Sequence, residues 1–179
     1  AYKIGQRVFG ENRIQELISK SKALPKDIEW HMIGHLQSKK VKLIAPFISM
    51  IHSIDSAKLL DVVNEQATKI NRVIDVLLQF HIAQEDSKFG LSLEEAEAII
   101  CSSEYISMTN IRICGVMGMA TFTKDEQQVR SEFKSLKSIF DRLKQNHFSE
   151  DNNFSQVSMG MSGDYKIAIK EGSTMIRVG

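Results

Sequence analysis

The sequence has little of what would commit a chain to a special environment. Only two cysteines, Cys101 and Cys114, occur in 179 residues. Their separation matches no metal-ligand spacing, and a single pair is too few to staple a fold of this size. A reducing, cytoplasmic setting is expected, with both thiols serving as small buried apolar side chains. No run approaches the ~18 uninterrupted apolar residues that span a bilayer, so no membrane partner is expected. Ala1-Tyr2-Lys3-Ile4-Gly5 lacks both an initiator methionine and the basic and apolar regions of a secretion signal. Neither sign of charge dominates: Lys and Arg number 23 against 22 Asp and Glu, a net charge of +1. A nucleic-acid binder that neutralises phosphates would need segregated charge. Here Lys20, Lys22 and Lys26 run into Asp27 and Glu29, and Lys39, Lys40 and Lys42 make only a short patch, a solvated helix face. The chain also has no Gly-x-Gly-x-x-Gly fingerprint, no P-loop and no Gly-x-Ser-x-Gly nucleophile elbow.

What is present reads as an ordinary globular domain, 42% hydrophobic and 25% charged, expected to form one unit over residues 1–179. Two kinds of segment alternate. Short Val-, Ile- and Phe-rich runs at 6–9, 29–34, 50–54, 73–82, 111–119, 156–160 and 174–178 predict seven strands. Helical spacing predicts helices over 12–23, 37–45, 56–70, 92–102 and 163–171. The longest helix carries Val129, Phe133, Leu136, Phe140 and Leu143 on one face. Ser92 with Glu95, and Thr123 with Glu126, fit capping boxes. Pro46 and Gly172 are placed to end helices. Nearly continuous apolar strands such as 73–82 indicate a parallel sheet covered by helices. Strict alternation allows a doubly wound sheet or a barrel. Seven strands without a dinucleotide fingerprint favour an α/β (β/α)8 TIM-type barrel that lacks one strand–helix unit. A complete barrel typically needs about 250 residues.

Polar residues and glycines gather at the predicted C-terminal ends of these strands. They include Gly10-Glu11-Asn12, then His31, Gly34, His35 and Gln37, and later Ser53 and Asp55. His81 and Gln84, Gly118 and Thr121, Ser158 to Gly163, and Arg177 with Gly179 continue the series. In a barrel these ends open onto one face, where active sites form. Taken singly, such residues also serve loop geometry and helix caps. The histidines are weaker pointers. His31 and His35 straddle a strand end rather than a helix face, His52 and His81 suit satisfied core positions, and His147 is expected to be exposed. No zinc site emerges. Met117, Met119, Met159 and Met161 read as barrel filling.

Two segments carry more specific chemistry. Ser158-Met159-Gly160-Met161-Ser162-Gly163-Asp164 runs from strand into helix. Its glycines allow close backbone approach, its free amides point outward, and the Ser162 hydroxyl adds a donor. The segment is a candidate phosphate cradle, unless Ser162 is simply the helix cap. In Met175-Ile176-Arg177-Val178-Gly179 a lone arginine sits inside an apolar strand. Its charge needs an acceptor, either a neighbouring carboxylate or a ligand atom.

These residues also carry a family resemblance. Phe9-Gly10-Glu11-Asn12, Trp30-His31-Met32-Ile33-Gly34-His35-Leu36-Gln37, Lys88-Phe89-Gly90, Gly115-Val116-Met117, the 158–164 segment and Gly172-Ser173-Thr174-Met175-Ile176-Arg177-Val178-Gly179 closely resemble the pyridoxal phosphate homeostasis protein family. The match runs in order over the whole chain. It implies a barrel like the N-terminal domain of alanine racemase, holding pyridoxal 5′-phosphate (PLP) at its C-terminal face. By this resemblance Ser162 and the backbone of Met161 and Gly179 hold the phosphate, with Ser158 nearby. Arg177 faces the pyridine nitrogen, Asn12 lies beside the ring substituents, and Met117 lies near the ring face. The family's Schiff-base lysine is expected upstream of Ala1, and Lys3 is not assigned that role. The chain is expected to be a barrel trimmed at both ends.

A guanidinium opposite the pyridine nitrogen is a permanent donor, which favours the unprotonated ring and weakens its pull on electrons. The resemblance therefore implies a non-catalytic PLP carrier or reservoir in vitamin B6 and amino-acid homeostasis. The alternative is a racemase-like PLP enzyme acting on a small amino acid. A third reading keeps the cradle for another phosphorylated metabolite. A monomer is expected, with PLP-dependent apo-enzymes as candidate recipients of the cofactor.

Overall fold

Segments dense in β-branched and aromatic residues form the strands β1 (Val8–Glu11), β2 (Glu29–Met32), β3 (Ile48–Ile54), β4 (Ile74–Phe80), β5 (Ile111–Gly118), β6 (Gln156–Met161) and β7 (Met175–Arg177). The computed structural model describes residues 1–84 and 89–179. All seven strands pair in parallel, in sequence order from β1 to β7. Between them lie α1 (Ile14–Ala23), α2 (Val41–Ile44), α3 (Ala57–Thr68), α4 (Leu93–Ile100), α5 (Ser103–Ile106), α6 (Glu126–His147) and α7 (Tyr165–Lys170).

The sheet curls. β3 and β6 stand three places apart, a separation of about 14 Å in a flat sheet. Yet His52 Nδ1 on β3 lies 3.0 Å from Ser158 Oγ on β6. The seven strands thus form the expected nearly closed barrel, one strand–helix unit short.

Two apolar layers follow from the strands' alternation. Ile74, Val76, Leu78 and Phe80 of β4 belong to the large outer core with the helices, where Leu60, Val63, Phe133 and Leu136 are fully buried. Leu77 of the same strand joins Met50, Cys114 and Met117 in a smaller cluster, with Met175 packed against it. Gly115 breaks the register between β4 and β5. Its φ is +152° and an added Cβ would lie 1.9 Å from the Gln156 carbonyl oxygen, so only glycine fits this bulge.

Several helix ends differ from the sequence reading. The capping box of Ser92 and Glu95 is present. That of Thr123 and Glu126 is not: Asp125 caps α6, accepting from the amides of Gln127 and Gln128, while Thr123 accepts from the Asp125 amide. A carboxylate at the cap displaces the hydroxyl two positions earlier. The expected helix over 92–102 breaks where Ser102 caps α5. The expected helix over 163–171 begins only at Tyr165, after Asp164. Cys114 is buried as expected, but Cys101 follows the end of α4 and is exposed. His147 is half-buried, with Nδ1 3.9 Å from Cys101 Sγ.

Candidate functional site

Strand order places the loops after β1, β2, β4, β5 and β6 around one mouth at the C-terminal end of the barrel. A cavity of about 340 Å³ opens there, lined among others by Asn12, Gly34, Gln79, Met119 and Met161. Met119 and Met161 are 42% and 38% exposed, so they rim the mouth rather than fill the barrel. Close packing holds the first two loops together: a Cβ on Gly34 would lie 2.3 Å from the Asn12 carbonyl oxygen. His35 sits at the same rim, with Nδ1 3.6 Å from Asp55 and its ring 4.6 Å from that of Phe89. Lys88 of the Lys88-Phe89-Gly90 motif lies outside the described residues.

A carboxylate of α6 anchors the loops after β4 and β5. Glu132, 4% exposed, accepts from the Thr121 amide and hydroxyl at 2.7 Å each, and from the Gln84 amide at 3.1 Å. Burial pushes its carboxyl up, but the hydrogen bonds from Thr121, Gln128 and Gln84 outweigh this and hold it below the usual range. Glu132 belongs to none of the strand-end motifs. Its signal was there: Glu132 lies three residues after Val129 and four before Leu136, on the apolar stripe.

Below the mouth lies Arg177. Its guanidinium donates to Ser158 Oγ at 2.6 Å and to the Gly118 carbonyl at 3.2 Å. Both acceptors are neutral, and among the described residues no carboxylate pairs with it. Burial lowers its pKa to about 10, and the charge of Asp164 partly opposes this. Ser158 is fully buried and also contacts His52. Met117, 1% exposed, sits in the inner cluster and not on the cavity wall.

The corner after β6 is built differently from the sequence expectation. The Met161 amide is taken by the Asp164 carboxylate at 2.6 Å. Ser162 caps no helix; its hydroxyl lies 3.4 Å from both the amide and the carbonyl of Gly179. An added Cβ on Gly163 would meet nothing within 4 Å, so the backbone there is bare. The structure therefore groups Ser162 with Gly179, Ser158 with Arg177, and Asn12 with Met161 on the cavity wall. Among the described residues no group of three His, Cys, Asp or Glu is placed to hold a metal. No helix among them is long and apolar enough to cross a membrane.

The model of the alanine racemase N-terminal domain matches residues 1–179. The chain is 36% identical over 180 residues to the pyridoxal phosphate homeostasis protein of Aquifex aeolicus, covering 99% of this chain and 76% of that one. The chain belongs to the pyridoxal phosphate homeostasis protein family. Another member, from Homo sapiens, is 38% identical over 192 residues, covering 100% of this chain and 68% of that one. Within the family's architecture, PipY of Synechococcus elongatus, solved with PLP bound, aligns with a TM-score of 0.86 at 31% identity, covering 100% of this chain and 82% of that one. Alanine racemase from Bartonella henselae shares the fold with a TM-score of 0.72 at 16% identity, over 99% of this chain and 48% of that one.

The donor set suits PLP, a dianionic aromatic aldehyde. A half-buried cation whose partners among the described residues are neutral retains N–H groups for a ring acceptor. A serine hydroxyl beside bare glycine backbone suits a phosphate.

Proposed function

We propose that this chain holds PLP at the barrel mouth as a reversible, non-catalytic carrier serving vitamin B6 and amino-acid homeostasis. The names of its relatives and the PLP-bound PipY structure support the reading. The observation that carries it is Arg177, a half-buried cation held by Ser158 and Gly118, with no carboxylate paired to it among the described residues.

In this reading Arg177 faces the ring nitrogen, while Ser162 and the Gly179 amide take the phosphate. Asn12 and the Met161 side chain flank the ligand. Ser158 and Met117 support it from below, Met117 through packing alone. The Met161 amide serves Asp164 instead of the phosphate. When bound, PLP supplies an aldehyde carbon that takes up primary amines. Arg177 remains protonated at neutral pH, since its lowered pKa is still about 10. It donates and does not accept, so it favours an unprotonated ring nitrogen and a weak electron sink. That suits storage better than turnover. Residues 1–179 supply one PLP-binding barrel domain, and the protein acts as a monomer. A reducing cytoplasm suits the exposed free thiol of Cys101, and PLP-dependent apo-enzymes would receive the cofactor.

The test is PLP retention, read by absorbance after gel filtration, in the wild type, Arg177→Ala and Ser162→Ala. Both variants are expected to lose cofactor. Unchanged retention in both would overturn the site. Solvent-deuterium exchange at the α carbon of small amino acids addresses the racemase-like alternative. The carrier reading expects no exchange above the rate of free PLP.

A further inference from the structure

Four side chains from four strands form a hydrogen-bonded line beneath the mouth. His31 Nδ1 on β2 lies 2.9 Å from His52 Nε2 on β3. His52 Nδ1 lies 3.0 Å from Ser158 Oγ on β6, and Arg177 on β7 donates to that oxygen at 2.6 Å. His31, His52 and Ser158 are 6%, 1% and 0% exposed, so these three are shut away from water, while Arg177 at the end of the line is half-buried.

The chemistry at one end sets its direction. A guanidinium has only donors, so Ser158 Oγ must accept from Arg177. The serine hydrogen then needs an acceptor, and His52 Nδ1 is within reach. With the hydrogen on His52 Nδ1, Ser158 would accept twice and its own hydrogen would be buried unpaired. That costs about as much as losing a hydrogen bond. With the hydrogen on His52 Nε2, every link of the line is matched: Arg177 donates to Ser158, Ser158 to His52, and His52 to His31 Nδ1.

We infer that His52 is a positioning residue: as the Nε2–H tautomer, fixed by His31, it orients the Ser158 hydroxyl to receive Arg177 and so leaves the remaining guanidinium N–H groups for the bound ring. The inference rests on the PLP reading above. Burial keeps both imidazoles neutral, holding His31 at about 4 and His52 well below the ordinary value. A protonated His52 could not accept from Ser158 at all.

Two measurements test this. Long-range ¹H–¹⁵N NMR of the ligand-free chain at neutral pH is expected to show Nε2–H with bare Nδ1 on both His31 and His52. An Nδ1–H tautomer at His52 overturns the inference, whether or not any variant folds. The second measurement compares dissociation constants for PLP and for its carbocyclic analogue, in which C–H replaces the ring nitrogen. His52→Leu is expected to weaken PLP binding about tenfold while leaving the analogue within about twofold. His52→Gln, which keeps one acceptor and one donor, is expected to restore most of the loss. An equal loss for both ligands overturns the positioning role alone, because a merely structural residue would weaken both. If the wild type binds neither ligand, the cofactor reading falls, and this one with it.

Discussion

Gly34 packs so tightly on Asn12 that an added Cβ would lie 2.3 Å from the Asn12 carbonyl oxygen and 2.8 Å from its Cα. Both atoms are backbone, so no side-chain rotation relieves the clash. Gly34→Ala must push the loop after β1 away from the loop after β2, at a cost of ~1–3 kcal/mol. It should also weaken PLP binding, since Asn12 lines the cavity. Gly163→Ala is the control: nothing lies within 4 Å of its added Cβ, and stability should stay within ~0.5 kcal/mol. Urea midpoints of the two variants give the comparison. Equal stabilities would mean the loops around Asn12 yield freely.

Glu132 ties α6 to the mouth by accepting from Thr121, Gln84 and Gln128. A glutamine there keeps the shape but turns donors toward donors. Glu132→Gln should cost ~1–3 kcal/mol. Hydrogen exchange at the Thr121 and Gln84 amides should speed up more than exchange in β4. If the two loop amides keep their protection, the carboxylate is not what holds the loops.

The buried imidazoles make stability depend on acidity. Burial, partly opposed by Asp75, lowers the pKa of His31 from 6.5 to about 4. Between these values the unfolded chain binds a proton that the folded chain does not. Stability is therefore full above about pH 6.5 and falls as pH drops toward 4, by on the order of 3 kcal/mol from this group. His52 acts in the same direction. Below their lowered pKa values both states are protonated and the loss levels off. Urea unfolding at pH 4.5 and 7 should show the drop in the wild type and a smaller one in His31→Gln. The same difference in both would remove His31 from the account.

The architecture was legible because periodicity reports burial. Val76, Leu78 and Phe80 face helices and Leu77 faces the lumen, leaving the apolar run that marks a parallel strand. The positions of Gly34, Asn12 and Arg177 were legible because glycine and charge are unusual at strand ends. What sequence could not supply was pairing across the lumen. His52 and Ser158 are 106 residues apart and meet only because the sheet curls, and nothing local marks either as a partner. The same holds for Arg177: its need for an acceptor was readable, but the Gly118 carbonyl, 59 residues away, was not. Short-range competition also misled. Asp164 binds the Met161 amide instead of leaving it free, and Asp125 replaces Thr123 as a cap.

Arg177 should trade stability for binding. Its charge is half-buried beside two neutral acceptors, and its lowered pKa means that the fold disfavours the charged form. Arg177→Met removes two hydrogen bonds from a charged group, each worth ~1.5–3 kcal/mol, but also removes a half-buried cation whose desolvation costs a comparable amount. The ligand-free variant should melt no lower than the wild type, within about 2 °C, and a higher melting temperature would agree with the sign of the pKa shift. Its PLP retention should nevertheless fall at least tenfold, as the ring loses its donor. Arg177→Lys keeps the charge but cannot reach Ser158 and Gly118 together, so it should lose binding without gaining stability. Calorimetry of the ligand-free chains beside absorbance titration separates the cases. If Arg177→Met melts far below the wild type, the guanidinium is a structural brace for the β5–β6–β7 side of the barrel, and its role toward a ligand would be secondary.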